Sequence, residues 1–105
     1  MAESNFIINE SKPLLGNVNI PGDKSITHRA IMLSSLSSDS LVISNALLAE
    51  DCLKTIASFS ELGVKITHND NNLKVCGNGL LSLTKPKKIL DCGNSGTLAR
   101  LMAGI

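Results

Sequence analysis

The sequence predicts an α/β (α+β) chain organised as a βαβαββ unit, and three observations predict it. Apolar residues alternate at Gly16, Val18 and Ile20 and again in VKITH and LKVCG, the period of two of a strand. Between these runs the spacing lengthens to that of a helix, at 25–36 and again from Asp51 to Gly63. The opening of the unit then returns: IPGDKSITHRA at 20–30 and LDCGNSGTLARLMAGI at 90–105 both read strand, glycine turn, hydroxyl residue, helix with an Arg inside, a weak internal repeat.

Each element has its own signal. FII at 6–8 is a short strand candidate, and LLGNVNI at 14–20 is a strand that Pro21-Gly22 breaks. Ile26, Ala30, Leu33 and Ser37 then fall at i, i+4, i+7 and i+11, one helix face. SLVISN at 40–45 is the next strand. Asp51 suits a helix cap, Leu53, Ile56, Ala57 and Ser60 follow on one face, and Gly63 stops the helix. VKITH and LKVCG around NDNN at 69–72 form a hairpin. GLLSLTKPKK connects to a strand at 88–90, and SGTLARLMAGI forms a last helix with Leu98, Leu101, Met102 and Ile105 on one face. The organisation is thus lead-in strands over 1–20, one βαβαββ unit over 14–77, and the start of a second unit over 88–105. A second unit that has barely begun predicts a piece of a longer chain.

Composition excludes several functions. Aromatics are 2% of the 105 residues, without Trp or Tyr, which removes the stacking platforms of single-stranded nucleic-acid binders. A net charge of +1 gives no global attraction to nucleic acid or anionic membrane, so any useful positive charge is local. No apolar run approaches the roughly 18 residues of a membrane span. MAESNFIINE has neither the basic nor the apolar region of a signal peptide. Cys52, Cys76 and Cys92 fit neither a disulfide framework nor metal spacing, and read as reduced thiols of a cytoplasmic protein.

The two glycine turns point to anion binding. The first amides of a helix lack intrahelical partners and carry partial positive charge, and a glycine turn lets an anion approach. Lys24 adds a full charge, Ser25 a hydroxyl donor, and Arg29, four residues on, shares the face of Ser25. In the second loop Gly93 and Gly96 permit approach, Asn94, Ser95 and Thr97 offer donors, and Arg100 lies one turn in. Plainer roles stand beside these: Ser25 and Ser95 suit N-caps, Lys24 a solvated charge, Asp51 a cap, and Arg100 a structural ion pair. His28 points away from the Ser25–Arg29 face, and His68 lies at the hairpin turn. GDKS is not a P-loop: Asp23 separates Gly22 from Lys24, and Gly16 lies one residue too far upstream.

PGDKSITHRA together with DCGNSGTLARLMAG resembles the N-terminal part of the 5-enolpyruvylshikimate-3-phosphate synthase family, from about Leu14 onward, and SNALLAEDCLKTIASFSELGVKI resembles the segment between the two motifs. The resemblance implies a transferase of the shikimate pathway of aromatic amino-acid and chorismate biosynthesis, moving the enolpyruvyl group of phosphoenolpyruvate to shikimate 3-phosphate with release of phosphate. It implies no metal and no cofactor. It implies two domains of βαβαββ units about a pseudo-threefold axis, an inside-out α/β barrel with the substrates in the cleft between domains. On this resemblance Lys24 contacts both substrates and is the catalytic candidate. Ser25 and Arg29 bind shikimate 3-phosphate, and Asn94 and Gly96 border the phosphoenolpyruvate site, where glyphosate also binds. Asp51, Thr97 and Arg100 support these groups.

Family members are several times longer, so the resemblance implies that this chain alone is inactive. The full-length enzyme would be a monomer, while apolar helix faces left without sister units drive the piece to self-associate. Two other functions remain open on the sequence. The transferase acting on UDP-N-acetylglucosamine shares the fold, but resembles Lys-Asn at the first loop where this chain has Lys24-Ser25. A non-catalytic anion-binding module would use the same loops without chemistry.

Overall fold

The computed structural model describes residues 3–105. Its order is α1 (Lys24–Leu36), β1 (Ser40–Ile43), α2 (Glu50–Glu61), β2 (Lys65–Asn69), β3 (Asn72–Cys76) and α3 (Gly96–Met102). The strands form one sheet in the order β1-β3-β2, with β3 antiparallel to both neighbours. β1 and β2 are therefore parallel, joined by the α2 crossover, and the hairpin return puts β3 between them.

Register separates the two faces of the sheet. Leu41, Val75 and Ile66 stand opposite one another, as do Ile43, Leu73 and His68, and these rows face the helices. Val42, Lys74 and Thr67 form the row between them on the other face, which no helix covers among the described residues. The core lies between sheet and helices: Ile31 and Met32 of α1, Phe59 of α2, Val64, Leu73, Val75 and Leu98 of α3.

The ends of α2 illustrate how local sequence sets the elements. Gly63 has φ +95°, a conformation costly for any residue with a Cβ. It lets the Val64 amide donate to Phe59 O at 3.0 Å and the Gly63 amide to Ser60 O at 3.1 Å. This is the paired closure of a Schellman motif, with Phe59 and Val64 both in the core. At the other end the N-cap is Ala49, without a side-chain bond, so Asp51 is not the cap; it sits in the first turn, beside the positive end of the helix. In α1 the cap is likewise not Ser25 but Asp23, whose Oδ1 accepts from the Ile26 amide at 2.8 Å. Ser95 does cap α3, accepting from the Leu98 amide at 3.1 Å.

Two sequence expectations are corrected. Residues 6–8, 14–20 and 88–90 lie in no strand. A strand is stable only when its amides and carbonyls find a partner, and the described residues offer these segments none. Residues 3–20 are exposed throughout, with Leu15 at 98%, and they extend the Cα radius of gyration to 17.8 Å; a domain of this length packs to about 13 Å.

The second correction concerns helix faces. The periodic stripe that signals α1 points outward, with Ile26 and Leu33 each 69% exposed, whereas Thr27, His28, Ile31, Met32, Ser34 and Ser35 are buried. α2 repeats this: Leu53, Ala57 and Ser60 are exposed and Ile56 half-buried, while Cys52, Thr55, Ser58 and Phe59 are inside. Small polar residues suit the inner face because their hydroxyls bond to nearby backbone. Ser35 Oγ donates to Ile31 O at 2.7 Å and Thr27 Oγ1 to Asp23 O at 2.7 Å. The last helix closes at Met102, short of the expected Ile105, and buries Leu98 alone. Among the described residues no helix is long and apolar enough to cross a membrane.

Candidate functional site

The first loop rests on the chain that follows β1. A methyl group at Gly22 would overlap Asn45 O and lie 2.9 Å from the Leu47 amide nitrogen, so glycine is needed here for backbone contact with residues 45–47. Asn45 Nδ2 donates to Ile20 O at 3.4 Å, and the Leu47 amide donates to Thr27 Oγ1 at 3.0 Å. The Ala46 amide reaches Asn71 O at 2.7 Å, which ties the support to the hairpin turn.

On that seat α1 presents Lys24, Ser25 and Arg29 to solvent, Ser25 and Arg29 as their four-residue spacing predicts. Lys24 Nζ lies 3.2 Å from Asp51 Oδ2, with the Lys24 side chain 54% exposed. Arg29 folds back along the helix and donates from Nη1 to Ser25 O at 3.1 Å. The Asp23 carboxylate already takes one of the free amides, so attraction for an anion rests mainly on the two cationic side chains. Exposed pairs of this kind are worth little in stability and exchange readily, which suits groups that must release one partner to take another.

The second loop is fixed from α2. Asp91 Oδ1 accepts from the Gly93 amide at 2.8 Å and Oδ2 from Lys54 Nζ at 2.9 Å. The Lys54 hydrogen bond, followed by the Gly93 amide, holds the Asp91 carboxyl below its usual range, and the Asp91 bond raises the Lys54 ammonium. Asn94 and Gly96 are exposed, Thr97 is half-buried, and the Arg100 guanidinium curls back to within 2.6 Å of where a Gly96 side chain would begin. Cys92 is half-buried in this loop. α3 packs on α1, so the two loops belong to one helical layer. A groove of 240 Å³ borders the second loop, between α2 and residues 88–91, lined by Lys54, Glu61, Lys88 and Asp91. The first loop is open surface.

Sequence reading named α2 and its Asp51 but missed Lys54 and Thr55. The α2 residues Asp51, Lys54 and Thr55 hold Lys24, Asp91 and His28 respectively. They fall at i, i+3 and i+4, a polar spacing on one side of the helix that was readable in the sequence. His28 is fully buried, as its orientation away from Ser25 and Arg29 implies. Burial lowers its pKa; Lys24 and Arg29 add to this and Asp51 opposes it. Burial likewise raises the Cys52 thiol, with Asp51 contributing.

A folded-state pKa below the unfolded value means that the unfolded chain takes up a proton first. Stability should therefore be lost as pH falls from about 6.5 toward the depressed value, by at most about 1.4 kcal/mol per pH unit. Thermal melts between pH 7.5 and 5 should show a steeper acid loss for the native chain than for His28→Asn. Equal slopes would show that His28 does not carry the effect.

The family model of EPSP synthase (3-phosphoshikimate 1-carboxyvinyltransferase) matches residues 8–105, both loops included. The chain belongs to the EPSP synthase family. It is 52% identical over 98 residues to a 3-phosphoshikimate 1-carboxyvinyltransferase of Bacillus cytotoxicus, covering 93% of this chain and 23% of that protein. Over 99 residues it is 50% identical to the protein of that name from Pelotomaculum thermopropionicum, again covering 93% and 23%. The solved EPSP synthase of Acinetobacter baumannii superposes with a TM-score of 0.81 at 36% identity, over 85% of this chain and 20% of that one. The sheet with its helices on one face is thus part of the EPSP synthase fold, and the chain spans under a quarter of the length of these relatives.

Proposed function

We propose that this chain supplies one wall of an EPSP synthase cleft, in an enzyme that transfers the enolpyruvyl group of phosphoenolpyruvate to shikimate 3-phosphate and releases phosphate. The observation that carries the reading is the clustering of Lys24, Ser25 and Arg29 on the solvent face of α1. Arg29 and Ser25 take the phosphate of shikimate 3-phosphate, Arg through paired charge-assisted bonds. Lys24 leaves Asp51 to neutralise charge shared by both substrates. Asn94 and Gly96 border phosphoenolpyruvate, with Thr97 and Arg100 shaping that loop. The helices and sheet of residues 24–76, with α3 at Gly96–Met102, are the frame for the two loops. Such an enzyme works in the cytoplasm, where the free thiols stay reduced. The exposed stripes of α1 and α2 favour association of the isolated chain with itself.

Titrating the 105-residue chain with shikimate 3-phosphate, followed by backbone-amide NMR, tests the reading. Shifts confined to residues 22–29 should saturate, and Lys24→Met should weaken binding about 10- to 100-fold, the loss of one charge-assisted contact. A well-dispersed spectrum that ignores the ligand would refute a preformed half-site. The chain by itself should release no phosphate from the two substrates, since it spans under a quarter of the length of its relatives; steady release by homogeneous protein would overturn that expectation.

A further inference from the structure

Two contacts join α1 to α2 at matched positions. Lys24 meets Asp51, and four residues along each helix His28 Nδ1 lies 2.6 Å from Thr55 Oγ1. Both contacts span 27 residues, so the helices are joined by two parallel rungs one turn apart. The outer rung is ionic and exposed; the inner one is buried, with His28 and Thr55 both at 0% exposure. With its proton on Nδ1, His28 donates to Thr55, whose hydroxyl can pass on to Asp51 O at 3.4 Å. The inner rung thereby ends on the residue that carries the outer one. Among the described residues His28 Nε2 has no hydrogen-bond partner. An unpaired buried nitrogen is costly, and a leucine would fill much of this space without that cost.

We infer that His28 and Thr55 are positioning residues for the first loop, holding the rotation of α1 against α2 so that Lys24 faces Asp51 while Ser25 and Arg29 face outward. The inference rests on reading that loop as an anion-binding half-site. The outer rung must open when Lys24 takes a substrate, and the inner rung keeps α1 in register when it does. Misplacing a charged group by a fraction of a helix turn is enough to weaken an oriented contact strongly.

The double variant His28→Leu, Thr55→Val separates positioning from stability. Replacing both partners of a buried hydrogen bond by apolar groups can be nearly neutral for folding. The double variant should melt close to the native chain yet bind shikimate 3-phosphate about tenfold more weakly, while Thr55→Ser, which keeps the hydroxyl, should bind as the native chain does. A folded double variant with native affinity would overturn the inference, as would Thr55→Ser falling equally far. If the native chain itself shows no binding, the half-site reading fails, and the free-state spectra decide the inference separately. The Lys24 and Ser25 amides, one turn from the substitution, should then shift in the double variant but not in Thr55→Ser; unmoved amides would overturn it.

Discussion

Gly22→Ala should cost about 3 kcal/mol of stability and dislodge the first loop at the same time. The added methyl group has no room: it would overlap a backbone carbonyl, Asn45 O, and press on the Leu47 amide. A flexible side chain could swing aside, but these atoms are held by the bonds of Ala46 to Asn71 and of Leu47 to Thr27. The loop must therefore lift, which breaks the Asn45–Ile20 contact and carries Lys24 away from Asp51. Urea denaturation should show a lowered midpoint, and amide shifts should concentrate at 20–29 and 45–47. Gly104→Ala is the matched control, because its methyl group would meet Leu101 O at an ordinary 3.6 Å; it should stay within about 0.5 kcal/mol of the native chain. Equal behaviour of the two variants would mean that the seat under the loop yields.

Phe59→Ala should be worse still, losing about 3–5 kcal/mol. Phe59 is fully buried, the largest such side chain in the core, and its carbonyl accepts the Val64 amide that closes α2. Removing the ring empties the space between α2 and the sheet, next to Val64, Leu73 and Val75. A small domain holds about 5–15 kcal/mol in total, so the variant should be largely unfolded at 37 °C by circular dichroism. Phe59→Leu keeps most of the volume and should lose about 1.5 kcal/mol or less. A mild effect from the alanine variant would mean that α2 collapses onto the sheet.

Most of the fold was legible because its signals are local. Gly63 ends α2 in the expected left-handed conformation, and the alternation in VKITH and LKVCG gives the hairpin with its turn at Asp70-Asn71. Helix existence was readable, but not which face goes inward. Ile26 and Leu33 form the more apolar stripe of α1, yet Thr27 and Ser35 are buried because their hydroxyls satisfy backbone groups in place. The spacing of apolar residues along the chain cannot register that compensation. The lead-in strands fail for a related reason: alternation reports a capacity to pair, and pairing needs a second strand. In the site, Ser25 and Arg29 are both exposed on α1, as their four-residue spacing implies, and Lys24 beside them turns to Asp51. Asp51 stands out in the sequence as a cap, and its partnership with Lys24 spans 27 residues, a distance at which sequence gives no direct sign. The same holds for Lys54 with Asp91 and for His28 with Thr55.

The placing of β3 at the centre of the sheet has a consequence during synthesis. The strand made last is the one both others need. While the ribosome is still adding residues before Asn72, β1 has no neighbour to receive its amides, and β2 runs parallel to it with a strand's width between them. Leu41, Val42 and Ile43 must wait as an open apolar edge, with α1 packed against them. Once Cys76 emerges, the short turn lets the hairpin close within microseconds, and one strand then completes both ladders together. Both ladders of the sheet therefore wait on the last of its three strands to be synthesised, and the edges left open until then are the kind that invites pairing with other chains.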